Sequence, residues 1–210
     1  MCGGIRLRSA LFAASILNMF SERVHARSTQ RQQTRQKVVG VAEELFRAQG
    51  FAATTVRQIA SVAEVSVGTV IAVGDKATLL VRIYDGWITD FHQQRVVEPL
   101  AGRPVDAIID HLRPIIGYFV QDAELSREYA AILVRGEVES IVFDSLARSL
   151  IADIETILRA EEKRNASETA RAIYFAYLGV LMTASHGAMS LETVPSAVRR
   201  AVVAVIGDER

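Results

Sequence analysis

The stretch AEELFRAQGFAATTVRQIASVAEVSVGTV, residues 42–70, decides the fold. At its start and just before it, Val38, Val41, Ala42, Leu45 and Phe46 recur at three- and four-residue spacing, which predicts an amphipathic helix with Gly50 just past its end. Thr54 or Thr55 is placed to cap a second helix of about two turns, with Val56, Ile59 and Ala60 facing inward. Ser66 is a natural cap for a third short helix, which Gly74 and Asp75 end. Two short helices joined by a tight turn and braced by a longer one have the spacing of a helix-turn-helix. Short paired helices also occur in ordinary helical domains, so spacing alone leaves DNA binding open.

Working outward, Leu79, Leu80, Ile83, Trp87 and Phe91 form one stripe of a long fourth helix that Pro99 stops. Helical patterns then follow to the end of the chain. Pro104 opens a helix that Pro114 should kink. A shorter helix covers SREYAAILVRGE. A long one follows with Val138, Ile141, Val142, Leu146, Leu150, Ile154 and Ile157 on its buried face. The segment from Ser167 to about Met189 is apolar over more than one face, and a last amphipathic helix begins near Pro195. The fold class read from this pattern is all-α.

Composition limits the function. The 210 residues are half hydrophobic and carry a formal net charge of zero, so no global field draws the chain to nucleic acid or anionic membrane. Any basic surface is local, and RSTQRQQTRQK supplies it: Arg27, Arg31, Arg35 and Lys37 stand there without an acidic residue. The plain alternative is a solvated helix face. The single cysteine, Cys2, forms no internal disulfide and has no partner at zinc-site spacing, which fits a reducing, cytoplasmic setting. His92, His111 and His186 lack an i,i+4 partner or a carboxylate set, so no metal or other cofactor is expected. No phosphate loop, nucleophile elbow, HExxH or dinucleotide fingerprint occurs, which argues against an enzyme.

Near the N-terminus, Arg6 and Arg8 precede ALFAASILNMF, a run well short of the ~20 residues that span a bilayer. A secretory signal and an upstream extension of a chain that starts at Met19 both remain readings of it; SERVHARSTQ is polar directly after the run and offers no clean cleavage site. A retained segment should be a loosely docked arm.

Residues 42–70 closely resemble the N-terminal domain of the TetR family of one-component transcriptional regulators, and the likeness continues into GDKATLL. The specific parts are LF..QGF.ATTVRQIA and VSVGTV, over about fifty residues; beyond them the chain matches only in helicity and length. The resemblance implies a three-helix DNA-binding domain over 31–77, after an N-terminal extension over 1–30, and a larger helical effector-binding and dimerisation domain over 78–210. It implies a homodimer through the last two helices, a double-stranded DNA operator and a small-molecule effector, without a membrane. The apolar helix around 170–184 supports the dimer independently, since one bundle face would not cover it; burial within a monomeric core is the alternative. Charge at Leu178 or Leu181 should break such a dimer.

Carried over by position, Arg35, Thr54, Thr55, Arg57 and Lys76 become backbone or phosphate contacts, with Thr54 and Thr55 at the start of the second helix. Ser66, Val67, Thr69 and Ile71 fall on the reading helix. Family members usually carry glycine where this chain has Glu64, often a basic residue at Val67, and a tyrosine followed by an aromatic pair where IAV stands. The span from Gly68 to Lys76 also reads one residue short. Glu64 should therefore turn away from DNA or pair with a base such as Arg57. The ligand-binding candidates are Trp87, Phe91, Tyr118, Phe119, Tyr129, Tyr174, Tyr177, Phe143 and Met182, because tyrosine joins an apolar body to a polar tip. The functional reading is a ligand-responsive repressor. The alternatives are a helical ligand-binding or dimerising protein with weakened or lost operator recognition and, if the N-terminal run is a signal, a secreted helical protein.

Overall fold

A computed structural model describes residues 28–94, 103–185 and 187–207 of the chain. Residues 1–27 of the expected extension, Pro99 and His186 lie outside the described residues. Every regular element among those described is helical. In chain order these are α1 (residues 28–49), α2 (Val56–Val62), α3 (Val67–Val73), α4 (Lys76–Gln94), α5 (Pro104–Gln121), α6 (Ala123–Arg135), α7 (Ile141–Ala160), α8 (Ala166–Ser185) and α9 (Val194–Ile206). A short 3-10 turn, Leu191–Thr193, leads into α9.

Local chemistry sets the ends of the two short helices. Thr55 caps α2: its hydroxyl accepts from the Gln58 N–H at 3.2 Å, and the Gln58 side chain accepts from the Thr55 N–H at 2.8 Å, a complete capping box. Ser66 caps α3 by accepting from the Thr69 N–H at 3.0 Å. Helix α2 ends where the Val65 N–H reaches the Ala60 carbonyl and the Glu64 N–H reaches that of Ser61, the two bonds of a Schellman motif. That motif puts Glu64 in the left-handed region at φ 53°. The chain then leaves at 108° to begin α3, within the range of helix-turn-helix units.

The shortened link between α3 and α4 is Gly74 and Asp75 alone. A Cβ at Gly74 would stand 2.6 Å from Cγ2 of Thr78, so only glycine lets the two helices approach this closely. Asp75 then accepts from the Thr78 N–H at 2.8 Å, and this bond holds its carboxyl below the usual range.

The buried residues gather in two cores. The first joins Val38, Ala42 and Phe46 of α1, Ile59 of α2, Val70 of α3 and Leu79 to Tyr84 of α4 with Leu125, Tyr129 and Ile132 of α6. The second is built by α5, α7, α8 and α9 with Ile88 of α4. Each fully buried leucine, isoleucine or phenylalanine stabilises its core by roughly 1.5–3 kcal/mol. Helix α4 is thus shared, its first half facing one core and its second half the other. Helix α5 runs unbroken through Pro114. No single described helix is long and apolar enough to cross a membrane.

Glycine at position 64 removes the left-handed strain, which costs a non-glycine residue roughly 1 kcal/mol. In a Lys37→Ala background, where no ion pair to Glu64 is lost, Glu64→Gly is expected to raise the midpoint of thermal unfolding by a few degrees. An unchanged or lower midpoint contradicts this.

Candidate reading face and ligand cavity

Helix α3 turns Val70 and Val73 inward and leaves Ser66, Val67, Gly68, Ile71 and Ala72 exposed. Val67 is 40% and Ile71 62% exposed, and Val62 of α2 beside them is 53% exposed. Its polar atoms are already engaged: the Ser66 and Thr69 hydroxyls bond each other at 2.8 Å. The outward face of α3 is therefore aliphatic, with no basic or aromatic side chain.

Of the residues to which the resemblance assigns flanking contacts, some are exposed and some are engaged within the fold. Thr55 and Arg57 are exposed at the start of α2, and Arg35 is exposed on α1. Arg31 and Lys37 share that exposed stretch. Lys76 packs over the Phe51 ring at 4.5 Å and donates to the Ala52 carbonyl at 3.3 Å, so it braces the turn after α1; partial burial lowers its pKa. Thr54 corrects the expectation. It is fully buried, and its hydroxyl donates to the Gly50 carbonyl at 2.9 Å while accepting from Gln49 at 3.1 Å, so it latches the turn and has no surface to offer a phosphate. Glu64 does pair with a base, but with Lys37 at 3.1 Å, both exposed, where Arg57 was expected.

A cavity of about 260 Å³ lies among α4, α5, α6, α7 and α8. Of the candidates, Trp87, Tyr118, Phe119, Tyr129, Tyr174, Tyr177 and Met182 line it. Phe91 does not: it stacks behind Trp87 at 5.7 Å and is part of the support. Phe143 lies on α7, and its side chain falls outside the described residues. Sequence reasoning missed Tyr84, Ser126, Leu178 and Leu181, which also line the cavity. The Tyr84 and Ser126 hydroxyls bond each other at 2.8 Å, and burial raises the pKa values of Tyr84, Tyr118, Tyr129 and Tyr177. The rings are ordered by stacking: Trp87 on Tyr118 at 3.8 Å and Tyr84 on Tyr129 at 4.2 Å, with Tyr84 meeting Tyr118 edge-on at 84°.

One wall of the cavity is also a joint to the helix-turn-helix. Arg47 near the end of α1 donates through Nε to Asp122 at 2.7 Å and through Nη2 to the Tyr118 hydroxyl at 3.2 Å. Asp122 links α5 to α6, and Tyr118 is the cavity residue stacked on Trp87. Arg47 is also held by Glu43 at 3.1 Å, one turn earlier on α1.

Helix α8 places its apolar residues on two sides. Tyr174, Tyr177, Leu178 and Leu181 face the cavity, whereas Arg171, Ala172, Phe175, Gly179 and Thr183 are exposed. Phe175 is 65% exposed. Leu178 and Leu181 thus belong to the cavity wall and not to an outer face. His111 lies 3.4 Å from Asp153 and lines neither this cavity nor the open groove between α5 and α9 that carries Arg113 and Arg199. Among the described residues no group of three or more histidine, cysteine, aspartate or glutamate side chains is arranged to hold a metal ion.

Comparison with known proteins agrees with this geometry. Residues 38–72 match the family model described as bacterial regulatory proteins, tetR family. Thermus thermophilus FadR, a TetR-family transcriptional repressor solved with lauroyl-CoA, superposes with a TM-score of 0.60 over 84% of this chain and 96% of that one at 18% identity. A TetR transcriptional regulator from Rhodococcus sp. RHA1 gives 0.61 over 84% and 97%, also at 18% identity. Reduced Escherichia coli NemR gives 0.55 over 80% and 95% at 20% identity. No curated protein sequence matches the chain. The architecture, an N-terminal helix-turn-helix followed by a helical C-terminal bundle, is shared with these structures. Its fold is the TetR fold, and its helix-turn-helix segment carries the TetR family's sequence pattern.

Proposed function

We propose that the chain is a homodimeric, cytoplasmic DNA-binding transcriptional regulator, a repressor, whose operator affinity is changed by a small apolar or amphipathic ligand in the cavity. Residues 31–77 serve as its DNA-binding domain and 78–210 as its effector-binding and dimerisation domain. The observation that carries this reading is Tyr118, which walls the cavity and holds Arg47 of the helix-turn-helix unit. A related fold that holds lauroyl-CoA, as FadR does, supports an apolar ligand here.

The reading face is matched to thymine. With no side chain of α3 able to make a bidentate bond to a base edge, Val67 and Ile71 contact the C5-methyl groups that thymine presents in the major groove. Arg31, Arg35 and Arg57 supply phosphate contacts, and the backbone N–H groups of the first turn of α2, beyond the capped Thr55, add another. Lys37 holds Glu64 away from the phosphates, which removes the repulsion that a bare carboxylate would cause. A ligand that prefers a different seating of Tyr118 moves α1 and α4 against the bundle and alters the spacing of the two reading helices. Its effect is limited by its difference in affinity for the two states.

The dimer forms through the outer faces of α8 and α9. Phe175 stands exposed on α8 among small residues, Ala172 and Gly179, that let a second helix approach closely. The aliphatic α3 also favours a second reading, a dimeric ligand-binding protein with weakened operator recognition, because such a face makes few directional bonds.

Selection of random duplexes with the purified full chain separates the two. The expected result is palindromes with half-sites about one helical turn, ~34 Å, apart and with thymines at the contacted positions. Deoxyuridine at one such thymine removes a methyl and should weaken binding about fivefold, near 1 kcal/mol. Thr69→Ala should alter the selected sequence, whereas Lys76→Ala should weaken all duplexes alike. Equal affinity for the uracil duplex refutes the methyl readout, and no enriched sequence at any salt concentration supports the second reading.

Phe175→Glu tests the dimer face. Light scattering should give a monomer mass with helicity retained, while Leu178→Glu should damage the cavity wall and lower stability. A Phe175→Glu chain that remains dimeric places the interface elsewhere.

A further inference from the structure

We propose that the cavity selects a planar aromatic molecule of about two fused rings without an anionic group, which seats itself against the tyrosine–tryptophan cluster. The proposal rests on the ligand-binding reading above and narrows its chemistry.

Charge decides the first half. Among the described residues no acidic or basic side chain lines the cavity, and the polar groups there are neutral hydroxyls, of which Tyr84 and Ser126 already satisfy each other. Arg47, Asp122 and Asp85 are engaged: Arg47 and Asp122 with each other, and Asp85 with Ser140 at 2.5 Å. The low polarity of the site is felt by the tyrosines themselves, whose ionised forms are disfavoured by burial. An anion that entered would give up its water, meet no counter-charge and face the negative faces of the rings. The arginines that could greet an anion, Arg113 and Arg199, border the separate groove between α5 and α9 and are paired with Asp110 and Asp106.

Shape and ring chemistry decide the second half. One side of the cavity wall is a cluster of aromatic rings held parallel or edge-on to one another, Trp87, Tyr118, Tyr84 and Tyr129. Aromatic pairs gain from offset-stacked and edge-to-face geometry beyond their buried area, and a saturated guest gains only area. Volume sets the size. A dry apolar cavity of about 150 Å³ accepts benzene, so 260 Å³ has room for a bicyclic system and not for a long acyl conjugate.

Calorimetric titration of the full chain at pH 7 with 2-naphthol, 2-naphthoate and decahydro-2-naphthol tests each half, since the first two differ in charge and the first and third in aromaticity. The expected result is 2-naphthol binding at least tenfold tighter than the naphthoate and severalfold tighter than the saturated alcohol. Ala130→Leu, which extends a buried lining residue into the cavity, should weaken 2-naphthol at least tenfold with helicity unchanged. Equal or tighter binding of either comparison compound, still abolished by Ala130→Leu, overturns the ligand class and leaves the cavity as a ligand site. Binding indifferent to Ala130→Leu, or no binding by any of the three, overturns the cavity as the site and the class with it.

Discussion

Tyr118 carries the guanidinium of Arg47 at its hydroxyl end and the indole of Trp87 on its ring face, and this side chain ties the first helix to the cavity alongside the packing of α4 and α6. Arg47 sits on the helix that braces the helix-turn-helix, and Trp87 sits on the helix both cores share. The bond from Arg47 to Asp122 fixes the same corner from the other side. An exposed ion pair contributes little by itself, typically less than about 1 kcal/mol. Here its value is positional. It seats a cavity wall against the DNA-binding unit, so in the proposed regulator a guest that shifts the ring cannot leave α1 where it was.

The reading end is built on an unusual division of labour. Its fold-defining polar groups are spent internally: Thr55 and Gln58 on each other, Ser66 on Thr69, Thr54 on the turn after α1. What remains facing outward on α3 is Val67, Gly68, Ile71 and Ala72. Shape and methyl contact are the means of discrimination such a face possesses, and they are weaker per contact than bidentate hydrogen bonds. Affinity then depends more heavily on the basic residues of α1 and on the second subunit, so the dimer is as necessary to the proposed function as the helix itself.

Much of this was legible in the residues. The caps of α2 and α3 are local, involving partners three residues apart, and the periodicity of α1, α5 and α7 points their apolar faces inward without tertiary information. Most cavity-lining aromatics were legible too, because tyrosine joins an apolar body to a polar tip, although core packing is the commoner role for any one of them. What was hidden is tertiary. Nothing near Glu64 in sequence announces Lys37, 27 positions away, or near Arg47 announces Asp122, 75 positions away. Thr54 and Thr55 are adjacent and chemically alike, yet one is buried and the other caps, a choice made by the turn between α1 and α2. Helix α8 is apolar around most of its circumference, so its sequence pattern does not say that Leu178 and Leu181 face the cavity while Phe175 faces out. Tyr84 stands outside the α4 stripe read from the sequence, and α6 makes it a cavity residue by bringing Ser126 and Tyr129 against it.

The account turns on the joint at Arg47, and linkage measures it directly. Operator affinity should be determined with and without saturating 2-naphthol for the parent chain and for Arg47→Met, which keeps the apolar stem and removes the bonds to Asp122 and Tyr118. The account predicts that the ligand changes operator affinity by about five- to a hundredfold in the parent, the usual range of allosteric coupling, and by little in Arg47→Met, with the affinity for 2-naphthol itself nearly unchanged. Equal coupling in both proteins would contradict it and put the transmission through another part of the bundle.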